Sequence, residues 1–187
     1  MTEPVGSAED TQRKEFEDGV TRSFPVWWER FDWVAKLEGR FVTKRWYIDP
    51  GVTLLYYEAT RCFIFGRFIA SIAMVSAATE RWLRWVVKKD RADFADMVPL
   101  AESDGRISKG VSGRLERVRD LMRNPVAHGK DEVMMGVLGW PRMSQRGWER
   151  PEGYEGYSGN ESAAKEAIET FLLLVQETIQ GGPGPAK

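Results

Sequence analysis

The chain has 187 residues, with 27 basic and 28 acidic side chains, one cysteine and one histidine. Cys62 alone excludes an internal disulfide or a cysteine-based zinc site, and His128 alone excludes a two-histidine metal site. The near-zero net charge argues against a general polyanion binder, but residues 61–130 carry a net charge of +6 between acidic ends. That basic middle is either a phosphate-binding surface or a solvated helix face of mixed charge.

Neither end of the chain nor its most apolar run suggests a membrane protein. Residues 1–18 are polar and acidic and lack the apolar stretch of a signal peptide. The run over 62–79 is interrupted by Arg67, which leaves about twelve uninterrupted residues before Glu80, too few to cross a bilayer. We therefore expect a cytoplasmic protein that does not bind membranes.

The first fifty residues divide into two segments. Residues 1–20 contain few large apolar groups and are predicted to be a disordered tail. Residues 21–50 are rich in aromatic side chains and are predicted to pack on the rest of the protein. Within them, Pro25 suits the first turn of a helix over 25–39, and 40–48 is ambiguous between helix and strand.

The next two helices have clear sequence signals. Asp49-Pro50 is an N-cap followed by proline, so a helix is predicted over 52–64. Gly66 ends it, and a second helix follows over 67–89. The apolar stripe of this second helix repeats at three and four residues: Phe68, Ile72, Val75, Ala78 or Thr79, Trp82 and Val86.

The C-terminal half alternates shorter helices with loops. A short amphipathic stretch covers 91–101, and a helix is predicted over 113–123. Residues 129–159, rich in glycine, proline and tryptophan, are predicted to form a long irregular connection.

A final helix is predicted from an N-cap at Asn160 or Ser162 to about Gln180, before a flexible tail over 181–187. The helical period of the whole chain predicts an all-α fold. We expect an antiparallel bundle over 51–180, with the aromatic N-terminal segment as an extension and a long loop before the last helix.

The single histidine lies in the most informative segment. Asn124-Pro125 predicts a kink after the helix, which could turn Arg123 and His128 toward one point. An imidazole can move a proton to or from a ribose 2′-hydroxyl, and a guanidinium can stabilise the charge that builds on a phosphate. The structural alternative makes Asn124 a helix cap, Arg123 a surface charge and His128 a partner of the helix dipole before Gly129.

The run Arg-Asn-x-x-x-His over 123–128 resembles the signature motif of the HEPN superfamily. Upstream, residues 58–62, 66–72 and 77–84 resemble the paired antiparallel helices that open such domains. The final helix also falls where the family places its last one. The resemblance covers about 52–180, some two thirds of the chain.

This resemblance implies a HEPN-like dimer in which Arg and His from both copies meet in a cleft at the interface. It also implies a metal-independent endoribonuclease, as in toxin–antitoxin and phage-defence systems, with RNA as substrate and an antitoxin or regulatory protein as a further partner. By position, Arg123 would stabilise phosphate, His128 would act as acid and base, and Asn124 would assist them. No metal or cofactor is expected.

Five further residues are candidates for binding the substrate: Glu80, Arg119, Lys130, Arg142 and Arg146. Glu80 is alternatively an ion-pair partner of Arg84, one helical turn away. The connection over 129–159 is either a lid that offers charge and stacking to RNA or an ordered surface insertion anchored by tryptophans. Four N-terminal tryptophans are expected in the core or a dimer interface: Trp27, Trp28, Trp33 and Trp46. The alternative function is a non-catalytic HEPN-like dimeric module for binding or assembly.

Overall fold

Helices make up nearly all of the described structure. A computed structural model describes residues 8–41, 49–89, 91–123, 142–144, 147–149 and 158–180. Its elements, in chain order, are α1 (Ala8–Phe41), α2 (Pro50–Ile64), α3 (Phe68–Val87), α4 (Phe94–Ser103), α5 (Lys109–Arg117), a π-helical turn (Val118–Arg123), β1 (Arg142–Ser144), β2 (Gly147–Glu149) and α6 (Ser158–Gln180). The two short strands pair antiparallel, and they are the only sheet in these ranges. The predicted all-α fold is therefore confirmed.

Helix α3 lies at the centre and packs against α2, α4 and α6. The indole Nε1 of Trp82 donates a hydrogen bond to the Thr178 hydroxyl on α6 at 2.9 Å. On the neighbouring helix, the Tyr56 ring stacks on Phe171 at a centroid distance of 5.3 Å. The stripe predicted for α3 is buried at each position: Phe68, Ile72, Val75, Ala78, Thr79, Trp82 and Val86. None of the helices described here combines the length and the apolarity needed to span a membrane.

Helix α1 begins much earlier than predicted. Residues 8–20 were expected to belong to a disordered tail, but they are helical, and Pro25 lies inside the helix rather than in its first turn. Local interactions stabilise this extension, since Arg13 pairs with Glu17 at 3.0 Å and the Thr21 hydroxyl bonds the Glu17 carbonyl at 2.9 Å. The prediction considered only large apolar groups and so missed a helix held by contacts within itself.

The second half of α1 joins the bundle through a few apolar and charged contacts. Val34 and Leu37 are buried, and Trp33 packs against the core as predicted. Arg30 forms an ion pair with Glu161 of α6 at 3.0 Å. Trp28, in contrast, is 60% exposed, so it does not belong to the core.

Two further boundaries differ from the predictions. Helix α6 begins at Ser158, so the predicted caps Asn160 and Ser162 lie inside its first turns. The hairpin places regular structure within the predicted irregular connection over 129–159. Trp46 and the ambiguous stretch 42–48 lie outside the described residues.

The predicted break at Gly66 is confirmed, and its geometry yields a stability prediction. Gly66 has a φ of +74°, and a Cβ built there lies 3.1 Å from the Arg30 guanidinium. We expect Gly66→Ala to lower the free energy of unfolding by about 1–2 kcal/mol, because alanine disfavours the left-handed region. Chemical denaturation measures the change.

Gly105→Ala is the matched control for this prediction. Gly105 has a φ of +66°, but a Cβ there meets nothing within 4 Å. It therefore carries the same backbone strain without the contact with Arg30, and we expect a smaller loss of stability than at Gly66. Equal losses at the two positions would show that the packing of Arg30 against this turn contributes nothing.

The start of α2 gives a pH-dependent prediction. One Asp49 oxygen accepts hydrogen bonds from the amides of Gly51 and Val52, and both oxygens accept from Arg81 Nε at 3.0 Å. Burial raises the pKa of Asp49, but the hydrogen bonds from Arg81, Val52 and Gly51 outweigh it and hold this pKa below its ordinary value. Asp49→Ala should lower the free energy of unfolding by about 1 kcal/mol near neutral pH.

The direction of the pH effect follows from the lowered pKa. The stabilisation is complete above the carboxyl's unfolded pKa of about 3.9 and is lost as the pH falls through the folded-state pKa. The stability difference between wild type and Asp49→Ala should therefore shrink in acid, which urea titrations at several pH values can follow. Asp49→Asn keeps the cap but not the charge, so it should lower the free energy of unfolding less than Asp49→Ala does. If the stability difference between wild type and Asp49→Ala did not change with pH, the Asp49 carboxylate would not be the stabilising group.

Candidate functional site

The helix that leads into the Arg-Asn-x-x-x-His motif changes its hydrogen-bonding pattern before the motif begins. The predicted helix over 113–123 starts earlier, at Lys109, and its last six residues form a π-helical turn, Val118–Arg123. Proline lacks an N–H and disfavours the α conformation of the residue before it, so Asn124-Pro125 gives the sequence a reason to leave the α-helical pattern here. Short π-helical segments are rare and frequently occur at functional sites.

Helix α5 is held in place by carboxylates of α6. Glu177 accepts hydrogen bonds from the Ser108 backbone amide at 2.6 Å and from its hydroxyl at 2.7 Å. The Ser108 hydroxyl also caps α5 by accepting from the Val111 amide. Nine residues further, Arg117 pairs with Glu166 at 2.8 Å. These contacts fix the position of the helix that ends in Arg123.

The π-helical turn rests on the core through Val118, which is buried, and it packs against α3 and α6. Arg123 is the last residue of this turn, and its side chain is not among those described. Asn124, His128 and Lys130 lie outside the described residues. The predicted convergence of Arg123 and His128 therefore stays a prediction.

Arg119, a predicted substrate-binding residue, has a partner within the π-helical turn. Its guanidinium bonds both oxygens of Asp120, Nε to Oδ1 at 2.6 Å and Nη2 to Oδ2 at 3.0 Å. The hydrogen bond with Asp120 raises the pKa of Arg119 further above its ordinary value. A phosphate that binds Arg119 would have to compete with this carboxylate.

The structure describes some of the other predicted substrate-binding residues. Glu80 is half-buried on α3. Arg142 lies in β1, where its backbone pairs with that of Glu149 in β2, and Arg146 lies between the strands, outside the described residues. The structure thus brings no pair of the predicted site residues into described side-chain contact.

About half of the arginines described in the basic middle of the chain pair with carboxylates. Arg61, Arg81 and Arg114 bind Glu58, Asp49 and Glu169, respectively. With Arg117 and Arg119, five arginines of residues 61–130 are engaged by carboxylates. The net charge of +6 therefore overstates the positive surface that is open to a phosphate, because four of these five carboxylates come from outside residues 61–130.

One arginine was missed as a candidate. Arg84 is half-buried on α3, the helix that the π-helical turn packs against, and its Nε is buried without a hydrogen-bond partner in the described structure. A buried guanidinium N–H is rarely left unbonded, since its desolvation is unfavourable. Its spacing from Glu80 was its only visible signal, and that spacing does not reveal burial.

No metal-binding group emerges from the described residues, among which no three His, Cys, Asp or Glu side chains cluster. The chain matches no protein-family model, no curated protein and no solved structure. The candidate site is therefore defined by its own residues: the motif over 123–128, the π-helical turn before it, and Arg84 on the adjacent helix.

Proposed function

We propose that the protein is a metal-independent endoribonuclease of the HEPN type. The observation that carries the proposal is the π-helical turn that ends at Arg123, directly before Asn124 and five residues before His128. This turn packs on the helical core, and the motif starts at its last residue. Short π-helical segments of this kind frequently occur at functional sites.

The proposed chemistry needs only a base, an acid and a stabiliser of negative charge. His128 removes the proton of a ribose 2′-hydroxyl, whose oxygen attacks the adjacent phosphorus, and the 5′-oxygen of the next nucleotide leaves with a proton. Arg123 stabilises the charge on the phosphoryl oxygens through its planar set of N–H donors, and Asn124 orients these groups. A homodimer would bring a second Arg–His pair to the same cleft and so supply both base and acid.

The direct test is cleavage of single-stranded RNA and of tRNA by the full chain in EDTA. The expected products carry a 2′,3′-cyclic phosphate on one side of the cut and a 5′-hydroxyl on the other. RNA with 2′-O-methyl groups is the control and should resist, because it lacks the attacking hydroxyl. Intact RNA after long incubation, or products with 5′-phosphates, would refute the proposal.

A non-catalytic, dimeric binding module is the second candidate. The exposed aromatic residues of α1, including Phe24 and Trp28, favour it, since a protein-binding surface needs them and RNA cleavage does not. In this case the motif stabilises the fold, and His128→Ala should lower the melting temperature markedly. A variant that melts like the wild type would argue against this function for His128.

A further inference from the structure

Most of the basic middle of the chain is a face of mixed charge, but its C-terminal end of α3 is not. Residues 84–91 hold four basic side chains and one acidic one, a net charge of +3. Lys88, Lys89 and Arg91 are exposed and Arg84 is half-buried, and none of them pairs with a carboxylate in the part of the chain that the structure describes. The dipole of α3 contributes only about half a negative charge at this end, so most of the positive charge remains uncompensated.

Trp85 lies among these cations and is 47% exposed. Its ring packs on the completely buried ring of Trp82 at a centroid distance of 4.9 Å. The hydrogen bond from Trp82 to Thr178 holds that inner ring in place, so Trp85 rests on a fixed base. Proteins that bind single-stranded nucleic acids combine such aromatic rings with neighbouring cations. We call the following five residues the α3 end patch: Arg84, Trp85, Lys88, Lys89 and Arg91.

Lys88 occupies a backbone conformation that favours glycine. Its φ is +55°, and it is the only non-glycine residue with a positive φ in the described ranges. Glycine is the common residue at such a helix end, because a Cβ disfavours the left-handed region. A lysine at this position lowers stability relative to glycine. Strained residues of this kind cluster at functional sites, which supports a binding role for the Lys88 side chain.

Arg84 has a hydrogen-bond donor without an acceptor. Its Nε is buried and unbonded in the described structure. Reorientation of the guanidinium toward a phosphate would supply the acceptor, since phosphate oxygens are strong acceptors for arginine. Arg84 precedes Lys88 by one helical turn, so one strand can contact both side chains.

We propose that the α3 end patch binds single-stranded RNA, with a base stacked on Trp85 and phosphates bound by the four cations. The choice of RNA rests on the proposed ribonuclease function. A single strand fits better than a duplex, because stacking on Trp85 requires an unpaired base. An anionic membrane fits less well, because membrane-binding helices carry a broad apolar face, whereas Trp85 has Arg81 one turn before it and Lys88 one turn after it.

The first test measures binding of the full chain to a short, labelled, single-stranded RNA by fluorescence anisotropy. The RNA carries 2′-O-methyl groups, which prevent cleavage, so binding is measured without chemistry. The logarithm of the affinity should fall linearly with the logarithm of the salt concentration, with a slope of about 0.7 for each phosphate bound. A wild type that does not bind this RNA at low salt would overturn the proposal.

Lys88→Gly separates binding from the fold. It removes one cation and introduces the residue that the positive φ favours, so the melting temperature should be unchanged or higher. Binding should weaken, and the salt slope should decrease by about 0.7. Lys36→Ala is the matched control, because Lys36 on α1 already pairs with Asp32 at 2.6 Å, and it should change neither affinity nor slope. Wild-type affinity and slope in Lys88→Gly would contradict the proposal.

Trp85→Leu tests the stacking. It keeps an apolar contact with Trp82 but removes the aromatic ring, so affinity should fall at least about fivefold while the salt slope stays the same. Trp85→Phe should retain most of the affinity, because it keeps an aromatic face. Trp28→Leu on α1 is the matched control, since Trp28 is 60% exposed outside the patch, and it should bind RNA like the wild type.

Undiminished RNA binding by Trp85→Leu would refute the stacking. If phosphatidylserine vesicles bound the wild type and the patch variants lost that binding without losing RNA, the patch would be a membrane-binding surface and the proposal would be wrong.

Binding and cleavage can fail separately. If the patch variants bind RNA more weakly but unmodified RNA is never cleaved, the α3 end patch stands and the ribonuclease function is refuted. If unmodified RNA is cleaved while the patch variants bind like the wild type, the ribonuclease function stands and the α3 end patch is refuted.

Discussion

His128→Ala is expected to lower the rate of RNA cleavage by about 10²- to 10⁴-fold, the usual contribution of a general acid or base. Since the sequence holds one histidine, no other imidazole of the same chain can replace it. Arg123→Ala should have a similar effect, because the motif holds no other guanidinium to stabilise the charge on the phosphoryl oxygens. Arg123→Lys should recover only part of the rate, since an ammonium lacks the planar set of donors that fits a phosphoryl group.

Arg117→Ala is the matched control for Arg123→Ala. It removes an arginine from the same helical segment, but Arg117 pairs with Glu166 at 2.8 Å and is not part of the motif. Cleavage should therefore persist in this variant. Single-turnover rates on a labelled RNA, together with melting curves for every variant, separate lost chemistry from lost fold. If His128→Ala cleaves RNA as fast as the wild type, His128 is not the general acid or base.

Trp82→Ala is expected to have the largest effect on stability, about 3–5 kcal/mol. Trp82 is completely buried at the contact between α3 and α6, and its ring lies 4.9 Å from that of Trp85. Truncation to alanine leaves a cavity in the centre of the bundle and removes a buried hydrogen bond to Thr178. Since a domain is typically stable by about 5–15 kcal/mol, this loss would bring the protein close to unfolding.

Two further variants show how much of this effect belongs to the hydrogen bond and how much to burial. Thr178→Val keeps the volume but leaves the buried indole N–H unbonded, so we expect a loss of about 1–3 kcal/mol. Trp85→Ala is the matched control, because Trp85 is 47% exposed and should contribute less than Trp82. Guanidinium denaturation at equilibrium gives all three values. A loss at Trp85 equal to that at Trp82 would contradict the central position of Trp82 in the core.

Much of the bundle could be predicted because its signals are local. The period of three and four residues in α3 identified a buried face that the structure confirms, and Gly66 marked the break before it because only glycine readily adopts a positive φ. Asp49-Pro50 likewise marked the start of α2, since an acidic cap and a proline at the first position act within a single turn.

Two features of the structure were predicted wrongly or missed, and a third had been left open. Pro25 signals a helix start, but α1 continues through it to Ala8. The change to a π-helical turn at Val118 was missed, because Asn124-Pro125 predicted a break only after Arg123. The basic residues 61–130 were left open between a phosphate-binding surface and a solvated face of mixed charge, and ion pairs with acidic residues distant in sequence, such as Glu166 and Glu169, favour the second.

The sequence alone determined that the protein is helical, that one histidine is the only imidazole available for chemistry, and that the motif over 123–128 is its main functional candidate. Only the tertiary structure decided which apolar faces find a partner. Val34 and Leu37 of α1 are buried, whereas Phe16, Phe24 and Trp28 of the same helix remain exposed. Residue type sets the free energy that burial can release, but burial itself requires another surface, and the path of the chain determines where one lies.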